Sequence, residues 1–225
     1  MQNLRLVLSE DGSHTLYNTE IDETYHSIHG AIQESDFVFI HTGLEFLNAS
    51  QPKRVPEILE VGFGTGLNAF LTAVWAEKNK VSIVYTTLET FPLPEEITEK
   101  LNFKDVISLL PYSDLFAKIH QCAWGDFCTI SPYFKLKKVQ KGIEKFEEGN
   151  YNLIYFDAFA PAKQPELWDL SVFDSVARLC QKHAVFVTYC AKGQVRRDLQ
   201  AVGFSTERLP GPPGKREMLR GIFKI

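Results

Sequence analysis

An acid at the end of an apolar strand is the first feature of this sequence that could do chemistry. Residues 154–165 read IYFDAFAPAKQP, in which three β-favouring residues lead directly to Asp157 and two prolines follow the acid. A charged carboxylate inside an apolar core is strongly destabilising unless it is paired. Either the strand reaches the surface at this point and Asp157 is solvated, or the acid serves a binding or catalytic site.

A second motif, ILEVGFGTGLNAF at residues 58–70, places glycines at every second position between a predicted strand and a predicted helix. Gly62, Gly64 and Gly66 allow the backbone to turn sharply and approach a ligand closely, because they have no Cβ. The spacing differs from the dinucleotide fingerprint, and the motif lacks the Lys-Ser/Thr pair of a phosphate loop. Glu60 would repel a pyrophosphate and attract a cation such as an α-amino group or a sulfonium.

Another acid, Glu89, ends the next predicted strand in the segment TTLET. An acid at this position usually holds the two hydroxyls of a ribose. Glu60, the glycine turn and Glu89 together predict an adenosine ligand with a cationic tail, and S-adenosylmethionine is the candidate cofactor. The residues predicted to bind it are Glu60, Gly62, Phe63, Gly64, Gly66, Asn68, Glu89 and Asp157.

Strand and helix patterns alternate from Pro56 onward and would position these motifs. The predicted strands are EILEVG, SIVYTTLET, YFKLKKVQ, YNLIYFDAF, AVFVTYC and MLRGIFKI, and the predicted helices are GLNAFLTAVWAEKNK, PLPEEITEKLNF, a stretch around 105–124 and GQVRRDLQAVG. This alternation predicts an α/β fold with a mostly parallel sheet and helices on both faces. Ligands of such sheets bind beyond the carboxyl ends of the strands, where Asp157 is expected.

The first fifty residues have a different pattern. LRLVLS and HTLYN predict a hairpin around the turn Glu10–Ser13. We therefore expect an N-terminal extension over residues 1–50, packed over the active site, and a single folded unit over residues 51–225.

Length and composition favour an ordinary globular domain in the cytoplasm. The chain has 225 residues, of which 44% are hydrophobic and 23% charged. No apolar run approaches the ~18 residues that span a bilayer, and the N-terminus is too polar for a signal peptide. The cysteines form no CxxC pair and His26 and His29 lack nearby carboxylate or thiol partners, so we expect no metal site. Reduced thiols are expected for Cys122, Cys128, Cys180 and Cys190.

The charge distribution is uneven along the chain. Residues 178–225 contain ten Lys or Arg and three acidic residues, a net charge of +7, whereas the whole chain carries −4. A basic C-terminal segment indicates a polyanionic partner such as nucleic acid, although solvated helix faces could also account for it.

Several segments resemble the methyltransferase half of the MnmC family, bacterial enzymes that complete the 5-methylaminomethyl group on the wobble uridine of certain tRNAs. These segments are GFGTGLN, FDAFAPAKQPELW, TYCAKGQVRRDLQAVGF, GPPGKREML and ETYHSIHGAIQESDFVFIHTGLEF. The resemblance implies a class I, Rossmann-like methyltransferase fold with seven strands, the last antiparallel, in a stand-alone form without the flavin-dependent oxidoreductase half. It also implies methyl transfer from S-adenosylmethionine to the amine of 5-aminomethyl(-2-thio)uridine, which a separate enzyme would supply.

One feature departs from this resemblance. Class I enzymes often place an acid after the third strand, where it holds the adenine amino group. In this sequence the strand YFKLKKVQ runs into Gln140, Lys141 and Gly142, so the residue that recognises adenine is not assigned.

The resemblance implies that Asp157 is the catalytic residue and faces a primary amine. An aspartate with its ordinary pKa of ~3.9 is a poor acceptor for a proton from an amine of pKa ~10.4, so we expect Asp157 mainly to orient the amine or the cofactor. Phe159 and Pro161 would contact the flipped uracil ring. The residues predicted to bind the tRNA substrate are Tyr25, Glu34, Phe159, Pro161, Lys163, Lys192, Arg196, Arg197, Lys215 and Arg216.

Three alternatives remain open on the sequence alone. An aminopropyltransferase of the spermidine synthase type shares the glycine turn and the strand-end aspartate, but it favours an acidic pocket, which the basic C-terminal segment argues against. A non-catalytic module that binds S-adenosylmethionine or RNA would not need Glu60, Glu89 and Asp157 together. A nicotinamide oxidoreductase is disfavoured by the glycine spacing.

Overall fold

The computed structural model of the protein describes residues 3–106 and 108–225. A small antiparallel sheet begins the chain, with strands β1 (Leu4–Leu8), β2 (His14–Asn18) and β3 (Glu23–Thr24). The predicted hairpin is confirmed, because Leu8 pairs with His14 and Leu4 pairs with Asn18.

A helical segment follows and runs without a break through α1 (Ala31–Ser35), π-helical turns (Asp36–Glu45) and α2 (Phe46–Ser50). The wider π-helical turns account for the mixed apolar period of this segment, since they do not follow the spacing of 3.6 residues per turn. Phe39 and Leu44 are buried in the same hydrophobic cluster as Phe70 of the main domain. The first fifty residues therefore share a core with the rest of the chain, and a domain boundary at residue 50 stays a prediction.

The main sheet has eight strands in the order β10-β11-β9-β8-β4-β5-β7-β6. Their bounds are β4 (Glu57–Val61), β5 (Ile83–Leu88), β6 (Phe127–Ser131), β7 (Phe134–Val139), β8 (Tyr151–Phe156), β9 (Cys180–Thr188), β10 (Phe204–Pro210) and β11 (Glu217–Phe223). The predicted α/β fold is confirmed, and the last strand, β11, is antiparallel to both of its neighbours. The predicted number of seven strands is wrong, because β6 adds an antiparallel strand to the edge at β7.

Helices cover both faces of the main sheet, and each face has its own hydrophobic cluster. The remaining helices are α3 (Leu67–Asn79), α4 (Glu95–Thr98), α5 (Ser113–Gln121), α6 (Leu170–Arg178) and α7 (Gly193–Ala201). The helix predicted over PLPEEITEKLNF is short and ends at Thr98. The helix predicted around 105–124 is confirmed only over α5, and position 107 within that prediction lies outside the described residues.

Two of the cysteines are paired in a disulfide, Cys122–Cys128. The expectation of four reduced thiols is therefore wrong for this pair. The loop between α5 and β6 brings the two Cα atoms to 5.9 Å, within the range that a disulfide spans, although the residues are six positions apart in sequence.

The parallel register of the central strands brings three sequence motifs to one edge. Val61 of β4 pairs with Leu88 of β5 on one side and with Phe156 of β8 on the other. The residues that follow these strand ends, Gly62, Glu89 and Asp157, therefore emerge side by side at the carboxyl edge of the sheet. Among the described residues, no helix has both the length and the apolar character needed to cross a membrane.

Candidate active site

A cavity of about 540 Å³ lies above the carboxyl ends of β4, β5 and β8. Its floor is formed by the glycine turn after β4, and residues between Asn18 and Ser35 form one wall. Of the residues predicted to act, those that line the cavity are Tyr25, Glu34, Gly62, Phe63, Gly64, Asn68, Glu89, Asp157, Phe159 and Lys215.

The glycine turn adopts backbone conformations that favour glycine. Gly62, Gly64 and Gly66 have φ angles of 95°, 50° and 75°, and α3 begins directly after Gly66. The N–H groups of Gly62 and Phe63 both donate to the carbonyl oxygen of Leu88, which fixes the turn against β5. A Cβ on Gly62 would lie 2.5 Å from the carbonyl oxygen of Asp157. The missing side chain therefore allows the glycine turn to approach the strand end that carries the acid.

The close approach at Gly62 predicts a strong effect of Gly62→Ala. The added methyl group collides with the backbone at Asp157 and also has to adopt φ 95°, so we expect the free energy of unfolding to fall by about 2–4 kcal/mol and cofactor binding to weaken. Gly125→Ala is the matched control, because Gly125 has φ 101° with no atom within 4 Å of the added Cβ and should lose only about 1–2 kcal/mol. Urea denaturation measures the free energy of unfolding of both variants. Equal losses in the two variants would show that the close approach of Gly62 to the Asp157 carbonyl does not add to the cost of Gly62→Ala.

Glu89 lies beside the glycine turn and is held by backbone donors. The N–H of Gly64 donates to its Oε2 atom at 3.0 Å, and the N–H of Phe91 donates to its Oε1 atom at 2.9 Å. The carboxylate therefore faces the cavity in a fixed orientation. Such an arrangement suits the two adjacent hydroxyls of a ribose.

Glu60 lies on β4, two residues before Gly62, and is fully buried. Of the three acids predicted to bind the cofactor, it is the one that does not line the cavity. The hydroxyl of Thr87 donates to its Oε2 atom at 2.6 Å, and its Oε1 atom has no partner within the described part of the chain. Burial raises the pKa of Glu60 to about 8, so the side chain is mostly protonated at pH 7. Burial therefore disfavours a negative charge on Glu60 in the ligand-free chain, and its attraction for a cationic ligand stays a prediction.

Asp157 lines the cavity directly after β8 and is half-buried. The side-chain amide of Asn68, on the first turn of α3, donates to its Oδ2 atom at 2.8 Å. Burial raises the pKa of Asp157 to about 7, while the bond from Asn68 acts in the opposite direction. The premise of an aspartate with an ordinary pKa is therefore wrong, and Asp157 can bind and release a proton near neutral pH.

Glu34 and Lys215 form an ion pair within the cavity wall. Lys215 Nζ pairs with Glu34 Oε1, and the N–H of Ser27 donates to Glu34 Oε2 at 2.7 Å. Lys215 Nζ also lies 3.7 Å from the centroid of the Tyr189 ring. Lys215, predicted to meet RNA phosphate, thus pairs in this structure with a carboxylate of the chain itself.

The N-terminal segment covers the glycine turn through aromatic and polar contacts. Tyr25 packs edge-on against Phe159 with ring centroids 5.0 Å apart, and its ring lies against Gly64. His26 is half-buried next to Tyr25 in the chain, with Nε2 3.3 Å from the hydroxyl of Thr65. Burial lowers the pKa of His26 to about 4, so this contact involves a neutral imidazole.

The other predicted substrate-binding residues lie outside the cavity lining. Lys163 pairs with Asp22 at 2.9 Å on the surface, and Arg197 donates to Gln194 at 2.7 Å. Lys192 precedes α7 and is exposed, as is Arg216. Pro161 and Arg196 are partly buried and do not line the cavity either.

Several cavity residues were not predicted from the sequence. Tyr189 follows β9, and its hydroxyl donates to the carbonyl oxygen of Ala158, next to Asp157. Glu144 lines the cavity after β7, two residues beyond the segment Gln140–Gly142. The sequence signal for Glu144 is an acid shortly after the third strand, whereas Tyr189 lies within the motif TYC and carries no separate signal.

Comparison with known proteins confirms the predicted methyltransferase fold. Residues 112–224, half of the chain, match a family described as S-adenosyl-L-methionine-dependent methyltransferase. The chain belongs to this family, and its cofactor is S-adenosyl-L-methionine.

Within that class, the sequence is similar to bacterial proteins named tRNA 5-methylaminomethyl-2-thiouridine biosynthesis bifunctional protein MnmC. The protein from Burkholderia thailandensis is 30% identical over 242 residues, which cover 97% of this chain and 35% of the relative. The protein from Hydrogenovibrio crunogenus is 30% identical over 243 residues, covering 99% of this chain and 34% of the relative. The chain thus spans about a third of the length of these relatives.

A solved structure shows the same relationship. The crystal structure of MNMC2 from Aquifex aeolicus is 25% identical with a TM-score of 0.74, covering 98% of this chain and 70% of that one. The resemblance to the methyltransferase half of MnmC is confirmed, whereas the stand-alone form and the roles of the individual site residues stay predictions.

Proposed function

We propose that this protein methylates the primary amine of 5-aminomethyl(-2-thio)uridine at the wobble position of tRNA, giving 5-methylaminomethyl(-2-thio)uridine. The observation that carries the proposal is the position of Asp157, which lines the cavity in contact with the glycine turn. An acid held there faces both a cofactor bound on the turn and a substrate that enters the cavity. The names of the similar proteins support tRNA as the substrate class.

The residues around the glycine turn suit S-adenosylmethionine. Glu89 would hold the ribose hydroxyls, and the turn would approach the ligand through Gly62 and Gly64. Asn68 Oδ1 is buried and has no hydrogen-bond partner among the described residues, so it offers an acceptor near the same turn. When bound, S-adenosylmethionine supplies an activated methyl group. Glu144, which lines the cavity after β7, is the candidate for recognising adenine.

Asp157 would then orient the amine and accept its proton. An amine of pKa ~10.4 and a carboxyl of pKa about 7 differ by about 3.4 units, so proton transfer between them costs roughly 4.6 kcal/mol. The same transfer to an aspartate of ordinary pKa would cost roughly 9 kcal/mol. The burial of Asp157 therefore removes about half of this barrier, and alignment of the neutral amine for attack supplies a further rate gain.

The substrate would be held by aromatic and basic groups. Tyr25 and Phe159 offer ring surfaces on which a flipped uracil can stack. Lys163, Lys192, Arg196, Arg197 and Arg216 would meet the phosphates of the anticodon loop outside the cavity. A cytoplasmic location and a separate enzyme that supplies the aminomethyl group belong to this proposal.

The test is incubation of the purified protein with S-adenosylmethionine and tRNA from cells that lack this activity, followed by mass spectrometry of the nucleosides. We expect the 5-aminomethyluridine species to gain one methyl group. Cofactor binding without any change in the tRNA would overturn the substrate assignment and leave the methyltransferase class in place.

The aminopropyltransferase alternative keeps one observation in its favour. Acidic residues dominate among the charged groups of the cavity lining, which contains Glu23, Glu34, Glu89, Glu144, Asp157 and Glu166. An acidic lining suits a polyamine as well as an aminomethyl group. A parallel reaction with putrescine and decarboxylated S-adenosylmethionine separates the two, and transfer to putrescine alone would favour this alternative.

A further inference from the structure

The ion pair between Glu34 and Lys215 joins two parts of the chain inside the cavity wall. Glu34 lies on α1 of the N-terminal segment, and Lys215 lies on the loop between β10 and β11. The Glu34 side chain is 8% exposed and the Lys215 side chain 31%. Ser27 satisfies one oxygen of Glu34, Lys215 satisfies the other, and the ring of Tyr189 supports the ammonium group.

Both members of the pair act on Asp157, with opposite effects. The negative charge of Glu34 raises the pKa of Asp157, whereas the positive charge of Lys215 lowers it. While the pair is intact, the effects of the two charges on Asp157 oppose each other. Removal of Lys215 would leave the buried carboxylate of Glu34 without its counter-ion in the same cavity as Asp157.

An unpaired Glu34 would interfere with methylation of an amine. A free carboxylate in the cavity binds a primary amine in its ammonium form and stabilises the proton on the nitrogen. The ammonium form has no lone pair and cannot attack a methyl group. A cation near the amine has the opposite effect, because it favours the neutral, nucleophilic form.

We propose that Lys215 is a positioning residue for methyl transfer, which neutralises Glu34 so that Asp157 is the carboxylate that receives the substrate amine. This inference rests on the proposed function and replaces the direct contacts predicted for Glu34 with the amine and for Lys215 with RNA phosphate. Lys215 acts through Glu34 and Asp157 and not by touching the reacting atoms.

Four other titratable groups near this cluster are neutral near pH 7, whereas Glu23 and Glu89 add carboxyl groups to the same cavity. Burial raises the pKa of Glu60 of β4 to about 8 and lowers the pKa of His26 to about 4. Burial raises the pKa values of Tyr85 of β5 and of Tyr189 above the ordinary tyrosine value. Among the charged groups of the described residues, Glu34 and Lys215 are the two that shift the pKa of Asp157 in the ligand-free chain.

The test is the pH profile of single-turnover methylation in four proteins: the wild type, Lys215→Met, Lys215→Arg and the double variant Glu34→Gln/Lys215→Met. In Lys215→Met we expect the rising limb to move up by about one pH unit, with a rate at pH 7 that is roughly two- to fivefold lower and recovers at higher pH. Lys215→Arg should keep the wild-type profile, and the double variant should regain most of the rate, because it removes both charges. Lys118→Met with Asp114→Asn is the matched control, an exposed pair on α5 whose removal should leave the profile unchanged.

A second readout needs neither cofactor nor tRNA. The ¹³C shift of the Asp157 carboxyl group reports its titration in the ligand-free protein, and its midpoint should rise in Lys215→Met and return in the double variant. The proposal would be overturned if the double variant had the same rate and the same carboxyl midpoint as Lys215→Met. It would also be overturned if Lys215→Met lost the same fraction of the wild-type rate at every pH. If the wild type methylates no tRNA while the carboxyl midpoints move as expected, the tRNA assignment fails and the charge cancellation is supported.

Discussion

Asparagine in place of Asp157 is expected to slow methyl transfer to tRNA by about 10²- to 10⁴-fold, the range that a positioned proton acceptor contributes. The substitution keeps the size of the side chain and an oxygen that accepts the hydrogen bond from Asn68. It removes the negative charge and the ability to take up a proton. Cofactor binding should therefore weaken by no more than about 10²-fold, the upper value of one charge-assisted hydrogen bond of ~1.5–3 kcal/mol.

The pH dependence gives this prediction its sign. Asp157 has a raised pKa of about 7, so the fraction that can accept a proton increases as the pH rises toward neutrality. The positive charge of a bound sulfonium would lower that pKa, which places the midpoint near or below pH 7. The wild-type rate should therefore rise up to about pH 7 and then level off. The rate of Asp157→Asn should continue to rise toward pH 9, because its amine loses the proton directly to solvent.

Single-turnover rates from pH 6 to pH 9, together with cofactor titrations, test this expectation. Asp174→Asn is the matched control, because Asp174 is an exposed carboxylate on α6 that pairs with Arg178 at 2.9 Å. An Asp157→Asn protein with the wild-type rate and plateau would show that the acid neither orients the amine nor accepts its proton.

The position of the site could be predicted from the sequence because it depends on local patterns. The glycine turn requires backbone conformations that residues 62, 64 and 66 favour as glycines, and alternating strands and helices imply parallel strands whose carboxyl ends meet. Val61, Leu88 and Phe156 end their strands at the same level of the sheet, so Glu89 and Asp157 follow at the same edge.

The charge states within the site could not be predicted in the same way. They depend on contacts between residues that are distant in sequence, such as Lys215 with Glu34 and Asn68 with Asp157. The added edge strand β6 depends on its pairing with β7, and the π-helical turns depend on packing over the sheet. Neither feature has a periodicity that distinguishes it from a loop or an ordinary helix.

Glutamine in place of Glu60 should change how the stability of the ligand-free protein depends on pH. Burial raises the pKa of Glu60 from 4.5 to about 8 in the folded chain. A raised pKa contributes stability that is fully present below the unfolded value, near pH 4.5, and is lost as the pH rises to about 8. The free energy of unfolding falls by about 5 kcal/mol at most over this range, since each unit of difference in pKa corresponds to ~1.36 kcal/mol. That is a large share of the ~5–15 kcal/mol that stabilises a typical domain.

Glu60→Gln cannot ionise, so it removes this dependence. Its carbonyl oxygen can still accept the hydrogen bond from Thr87, although its amide needs an acceptor in a buried position. At pH 5 we therefore expect the free energy of unfolding of the variant to be equal to or lower than that of the wild type. Between pH 5 and pH 8.5 it should rise by several kcal/mol relative to the wild type. Urea denaturation across this pH range measures the difference.

Glu148→Gln is the control for the loss of a carboxylate that is not buried. Glu148 is exposed, and its pairing with Lys137 lowers its pKa, so its contribution is already complete above pH 5 and should not change up to pH 8.5. Parallel stability curves for Glu60→Gln and the wild type would show that Glu60 is ionised in the folded chain throughout this range. The glycine turn would then lie over a negative charge, and the attraction of a cationic cofactor to Glu60 that the sequence predicts would be restored.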